Sequence, residues 1–175
     1  MDYCLKAGML YAAGQEEPLA SIRAVLGAQT RKIFAPDGGL LAHTEVRLRS
    51  KLNGTEQGVE KKEYVLYDCG EKECAVARPA YCEQDAPSVA GWPVCRTPRA
   101  DCAHWMADGK TGVLKMCDSE HYSLQTEEGI SVQLTHRGLR GGWDVKASEG
   151  LSAVFLCAVF LFCRYLEREN EFPMV

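Results

Sequence analysis

Fourteen consecutive uncharged residues, Gly150 to Cys163 (G-L-S-A-V-F-L-C-A-V-F-L-F-C), interrupt an otherwise polar chain. As a helix rising ~1.5 Å per residue, the run spans about 21 Å, short of the ~30 Å hydrocarbon core of a bilayer. It is apolar on every face, so it has no side to turn to water. Such a helix needs either a β-structure that wraps it completely or a membrane. Its shortness, and Arg164 directly after it, favour the wrapped helix. The helix is expected over about 149–167, with Ser148 or Glu149 as N-cap and first-turn acid. Arg164 and Arg168 then fall at its C-terminal end, where cations suit the dipole.

The rest of the chain reads as the wrapping. Tyr122 and Leu124 alternate with His121, Ser123 and Gln125; Ile130, Val132 and Leu134 alternate with Ser131, Gln133 and Thr135. Period-two alternation buries one face of a hairpin and wets the other. Residues 45–51, Glu-Val-Arg-Leu-Arg-Ser-Lys, alternate in the same way. A hairpin unit also recurs: Ile33 to Ala42 around Asp37-Gly38-Gly39, Leu66 to Val76 around Asp68-Cys69-Gly70, and Trp105 to Leu114 around Asp108-Gly109. Repetition of strand, Asp/Gly turn and strand implies a sheet that closes on itself and so has no exposed edge. Four of the seven prolines lie between Pro79 and Pro98, so a long surface connection is expected over about 79–102. Pro18 to Leu26 reads as a short helix.

Composition bounds function more than it assigns it. A chain of 175 residues fits one domain over 1–175, and its apolar and charged fractions are those of an ordinary globular protein. Net charge is −4, which argues against general nucleic-acid binding. Residues 1–6, Met-Asp-Tyr-Cys-Leu-Lys, carry no basic region or continuous apolar stretch of a secretory signal, so a cytoplasmic protein with reduced thiols is expected. The cysteines number nine, an odd count, and only Cys69 and Cys74 have the spacing of a zinc knuckle, so no metal is expected.

Hairpin after hairpin with D-x-G turns, a W-D-V strand and then an all-apolar helix resembles the tubby C-terminal-like superfamily. That group takes in the tubby domain, the plant LURP-one-related proteins and the phospholipid scramblases. The resemblance is carried by Tyr67-Asp68-Cys69-Gly70, Ala75-Val76-Ala77-Arg78, Trp143-Asp144-Val145-Lys146 and Leu151 to Leu166, and covers the chain from about residue 30 onward. It is closest to a stand-alone LURP-one-like domain. The resemblance implies a closed antiparallel barrel of about twelve strands around a buried C-terminal helix. It also implies lipid as a ligand class, since tubby domains bind phosphoinositides through basic residues. The chain lacks the palmitoylated cysteine cluster and proline-rich N-terminal region of scramblases, and Asp144 and Glu149 are too few oxygen ligands for a calcium loop.

Candidate sites follow from charge. Arg47, Arg49 and Lys51 share one strand face by period two, a row of cations suited to a phosphate or anionic headgroup. Val46 and Leu48 are expected to hold the opposite face in the core. A solvated outer barrel face is the plainer reading of the same pattern. Arg137, Arg140 and Lys146 surround Trp143, which is expected to plug the barrel mouth. Catalytic motifs fail: Gly109-Lys110-Thr111 resembles the end of a P-loop, but His104 stands where that motif needs glycine. The expectation is a non-enzymatic binding module without a cofactor. Its ligand would be an anionic lipid headgroup or phosphorylated group met in peripheral membrane contact at most. The alternatives are a protein-interaction domain, and a tail-anchored or scramblase-like membrane protein.

Overall fold

The computed structural model describes residues 1–26, 29–48, 62–81 and 100–170. Its strands are β1 (Asp2–Lys6), β2 (Met9–Ala12), β3 (Ala20–Ala24), β4 (Arg31–Phe34), β5 (Leu40–Leu48) and β6 (Lys62–Asp68). They continue with β7 (Glu73–Tyr81), β8 (Ala100–Ala107), β9 (Lys110–Met116), β10 (His121–Thr126), β11 (Ser131–His136) and β12 (Trp143–Ala147). A helix, α1 (Ala153–Asn170), follows. Each strand pairs antiparallel with its chain neighbours, and β1 pairs with β12, so twelve strands close a barrel. Closure leaves no free edge, the outcome that the repeated hairpins imply.

The inward residues of the strands enclose α1. Tyr64 packs on Phe162 and Tyr165, Trp105 meets Phe155 edge-on, and Trp143 meets Phe160. Leu156 to Val159, Leu161 to Cys163, Tyr165 and Leu166 are all buried in this core. The outward positions of β10 to β12 carry exposed Gln125, Gln133, Thr135, Asp144 and Lys146. Lipid-facing barrel strands carry an apolar band instead. No helix among the described residues is long and apolar enough to cross a membrane. Residues 150–163, the segment of the tail-anchor alternative, lead into and form an enclosed helix.

Several local expectations are corrected. The segment expected as a helix over Pro18 to Leu26 holds β3, whose Ile22 pairs with Ile33 of β4. The leucine and isoleucine spacing there mimics a helix face, but pairing with β2 and β4 closes the barrel and decides the outcome. α1 begins later than expected. Ser148 exchanges hydrogen bonds with Ser131 across the β11–β12 ladder, and it is Ser152 Oγ that accepts the Phe155 N–H at 3.1 Å, as an N-cap does. The proline-rich connection is shorter than 79–102, because β7 runs to Tyr81 and β8 starts at Ala100. Pro79 is tolerated because β7 pairs there with β8 alone, its pairing with β6 having ended at Ala77. Residues 82–99, including Trp92, lie outside the described residues.

Polar side chains along α1 take partners from the surrounding strands and loops. The Tyr165 hydroxyl donates to the Gln29 carbonyl at 3.0 Å, so its oxygen receives the Thr44 hydroxyl at 2.7 Å. At the end of α1, the buried Glu169 takes Lys62 at 2.9 Å.

Candidate functional site

The predicted cation row falls on β5. Only Arg47 of the three lies within the described residues; Arg49 and Lys51 lie outside them. Antiparallel pairing sets Arg47 opposite Glu63, and its guanidinium grips the Glu63 carboxylate at 2.7 Å and reaches Glu73 at 3.2 Å. Arg78 holds the other Glu63 oxygen at 2.7 Å. Burial works to raise the Glu63 carboxyl, but hydrogen bonds and charge from both arginines outweigh it and hold the group below the usual carboxylate range. The Arg47 guanidinium is pushed up in turn, chiefly by its bond to Glu63. An anionic ligand at Arg47 would thus compete with two carboxylates already in place.

The face around it also differs from a solvated strand. Val65 and Val76 point away from α1 yet are buried. Val46 packs on the core as expected, whereas Leu48, at the strand end, is exposed rather than held inside. The second predicted group is likewise divided. Trp143 is buried against Tyr122, His136 and Phe160. Arg137 bonds Asp144 and the Cys4 sulfur, Lys146 sits on the outer face of β12, and Arg140 is exposed.

Connection parity sorts the turns between the two ends of the barrel in a way that no single motif announces. In an all-antiparallel barrel, successive connections fall on alternate ends. The links β2–β3, β4–β5, β6–β7, β8–β9 and β10–β11 share one end with the start of α1. They carry Glu16, Glu17, Asp37, Glu71, Asp108 and Glu127 in exposed positions, and Glu149 joins them before the helix. Of the described cations there, Lys110 is paired with Glu128 at 2.6 Å, and Lys72 is exposed on the β6–β7 turn. The opposite end, where α1 finishes, carries Lys6, Arg137, Arg140 and Arg168 together with Asp118, Glu120 and Asp144, and two of its connections, 49–61 and 82–99, lie outside the described residues. Two leucines there stand fully exposed: Leu26 after β3, and Leu139 in a 3-10 turn (Gly138–Arg140) between β11 and β12.

The acidic end contains a cavity of about 230 Å³ where α1 enters the barrel. Its walls are mainly apolar: Leu41, Leu66, Ala75 and Ala107 from the strands, with Val154 and Phe155 from the helix. A register shift between Leu66 and Tyr67 re-aims the strand beside it, as bulges at barrel rims do. Asp68 on its lip is held in a tight turn by the Gly70 and Lys72 N–H groups at 2.8 and 2.9 Å. Asp108, on the next lip, adopts a left-handed backbone that starts the β8–β9 turn. His43, stacked on Tyr67, faces Glu71 at 3.7 Å and Glu45 at 3.8 Å. The result is an apolar floor within an acidic rim.

No group of three or more His, Cys, Asp or Glu side chains among the described residues could hold a metal ion. Two of the nine cysteines, Cys82 and Cys95, lie outside those residues. Burial pushes the Cys157 thiol up to about 12 and raises Cys163 as well, which makes both poor nucleophiles. Compared with known proteins, the chain matches no protein-family model, no curated protein and no solved structure.

Proposed function

We propose that this chain is a non-enzymatic binding module that docks on an anionic phospholipid surface, and that it uses the barrel end bearing Leu26, Leu139, Arg137 and Arg140 rather than the Arg47 row. The carrying observation is Leu139, fully exposed at a turn tip between Arg137 and Arg140. Leu26 is equally bare, two connections along the same rim. A leucine moved from water into the headgroup boundary gains up to about 1.5–3 kcal/mol. Each nearby Lys or Arg adds about 1 kcal/mol at an anionic surface. The acidic end would be repelled by the same surface, so one orientation is preferred.

The tubby-like resemblance supports the lipid reading, and a twelve-strand barrel around a helix is the architecture which that resemblance implies. The lumen is occupied by α1, so any ligand is met at the surface or at a mouth.

Flotation with phosphatidylserine-rich and pure phosphatidylcholine vesicles tests this. The wild-type protein is expected to float with the anionic vesicles only, and less so as salt rises. Leu26→Ser with Leu139→Ser and Arg140→Glu should remove flotation with little change in melting temperature. Unchanged flotation of that variant, or none by the wild type, would pass the lead to the protein-interaction reading.

A further inference from the structure

We infer that the apolar cavity at the acidic mouth is a docking site for a basic protein segment carrying one bulky apolar anchor. This rests on the opposite end of the barrel from the lipid reading and does not depend on it. Leu41, Leu66, Val154 and Phe155 leave apolar surface accessible where the helix enters, and a volume of about 230 Å³ suits a single Leu, Met or Phe side chain. Such a side chain would be removed from water on several sides, which is where binding energy concentrates.

The rim selects what flanks the anchor. Glu71 and Asp108 sit on the turns bordering the cavity, with Asp37 on the next turn round, and all three are exposed, as are Lys72 beside Glu71 and Lys110, which is paired with Glu128. Lys or Arg on either side of an anchor would find carboxylates in whichever direction the segment runs, while an acidic segment would meet like charge. The turns that carry the rim are fixed by their own hydrogen bonds. Asp37 Oδ1 accepts the Gly39 N–H at 2.9 Å, and Asp68 closes the β6–β7 turn. The site therefore loses little ordering entropy on binding.

The probe is a short fluorescein-labelled peptide with one Phe among Lys and Gly residues. Its companions replace the Phe by Ser, or every Lys by Glu. Anisotropy titrations at low and near-physiological salt should show saturable binding of the Lys/Phe peptide. The Ser peptide should bind about tenfold or more weakly, from loss of one buried apolar side chain. Ala107→Phe, which fills the cavity, should cause a similar loss while leaving vesicle flotation untouched. Asp108→Asn should weaken binding about two- to fivefold, the range of one exposed charge pair. If Ala107→Phe does not fold, the Phe/Ser peptide pair and Asp108→Asn still decide the matter. Equal binding of the Phe and Ser peptides would overturn the proposal, leaving only a diffuse acidic surface. Binding of the Glu peptide, or no binding at all, would overturn it too. So would concentration-dependent self-association abolished by Leu139→Ser, which would give the cavity to a second copy of this chain.

Discussion

The side-chain amide of Asn170 pairs with the backbone of Ala100 as a neighbouring strand would. Its Oδ1 accepts the Ala100 N–H at 3.1 Å and its Nδ2 donates to the Ala100 carbonyl at 2.7 Å. The same nitrogen also donates to the Leu166 carbonyl at 3.0 Å, one turn back in the helix. The last residue of α1 is thereby latched to the first residue of β8, and both are buried.

Asn170→Ala should therefore destabilise the protein by about 1–3 kcal/mol, because it strands a buried donor and acceptor on Ala100. Asn170→Asp should be worse, since it keeps an acceptor for the N–H but sets a second acceptor against the carbonyl. Urea unfolding at neutral pH measures both, and a wild-type midpoint for Asn170→Asp would show that the latch is idle.

The Glu63 carboxylate between Arg47 and Arg78 makes a pH prediction with a definite sign. Its folded value is held below the usual range, so the unfolded chain binds the proton more readily. The stabilisation is present above the ordinary glutamate value of about 4.3 and is lost as pH falls through that value to the lower folded one. Glu63→Gln should cost about 1–2 kcal/mol at pH 7, because the two arginines it leaves behind are about two-fifths exposed and can turn to water. Its deficit relative to wild type should shrink in acid. A deficit that is constant from pH 7 to pH 3 would contradict this account.

How far the sequence was legible follows the kind of signal each element carries. The 121–136 hairpin and the Asp/Gly turns at residues 37, 68 and 108 were readable because alternation and turn chemistry are local. The enclosed helix was readable because all-round apolarity admits few homes. β1 to β3 were not, because they are only four or five residues long, and the β1–β2 turn places Ala7 in a left-handed conformation that no glycine announces at that position. Missing them hid the strand count before the repeats, and with it the parity that collects acids at one end and bare leucines at the other. The Arg47 row failed to announce its partners because Glu63 and Glu73 come from later strands. Only register brings them opposite.

The helix divides into a tolerant and an intolerant part. Phe155 lines the open mouth and is half-buried, whereas Phe162 is enclosed against Tyr64. Phe162→Ala should cost about 3–5 kcal/mol, and Phe162→Asp should prevent folding by leaving an unpaired charge in the core. Phe155→Asp, at the open mouth, should yield a folded protein with a lowered melting temperature. Thermal unfolding followed by circular dichroism ranks the three. A cooperative melt from Phe162→Asp would mean that the helix is not the core.

The cysteines should divide by position on the fold. Cys69 and Cys117 are exposed in turns, while Cys157 and Cys163 are buried on α1. Iodoacetamide at pH 8 followed by peptide mass spectrometry should modify the first pair within minutes and the second only in denaturant, because a thiol pushed up to about 12, as Cys157 is, holds almost no thiolate there. The same burial predicts an alkaline weakness. A thiol that stays protonated in the fold but ionises near 8.5 in the unfolded chain stabilises fully below that value. It withdraws about 1.4 kcal/mol per pH unit as pH climbs from there towards the folded value. Cys157→Ala should therefore flatten the loss of stability between pH 8.5 and 10.5, even if the variant starts lower at pH 7. Rapid native-state labelling of Cys157, or parallel alkaline profiles for wild type and Cys157→Ala, would place that side chain in contact with solvent and remove α1 from the centre of the barrel.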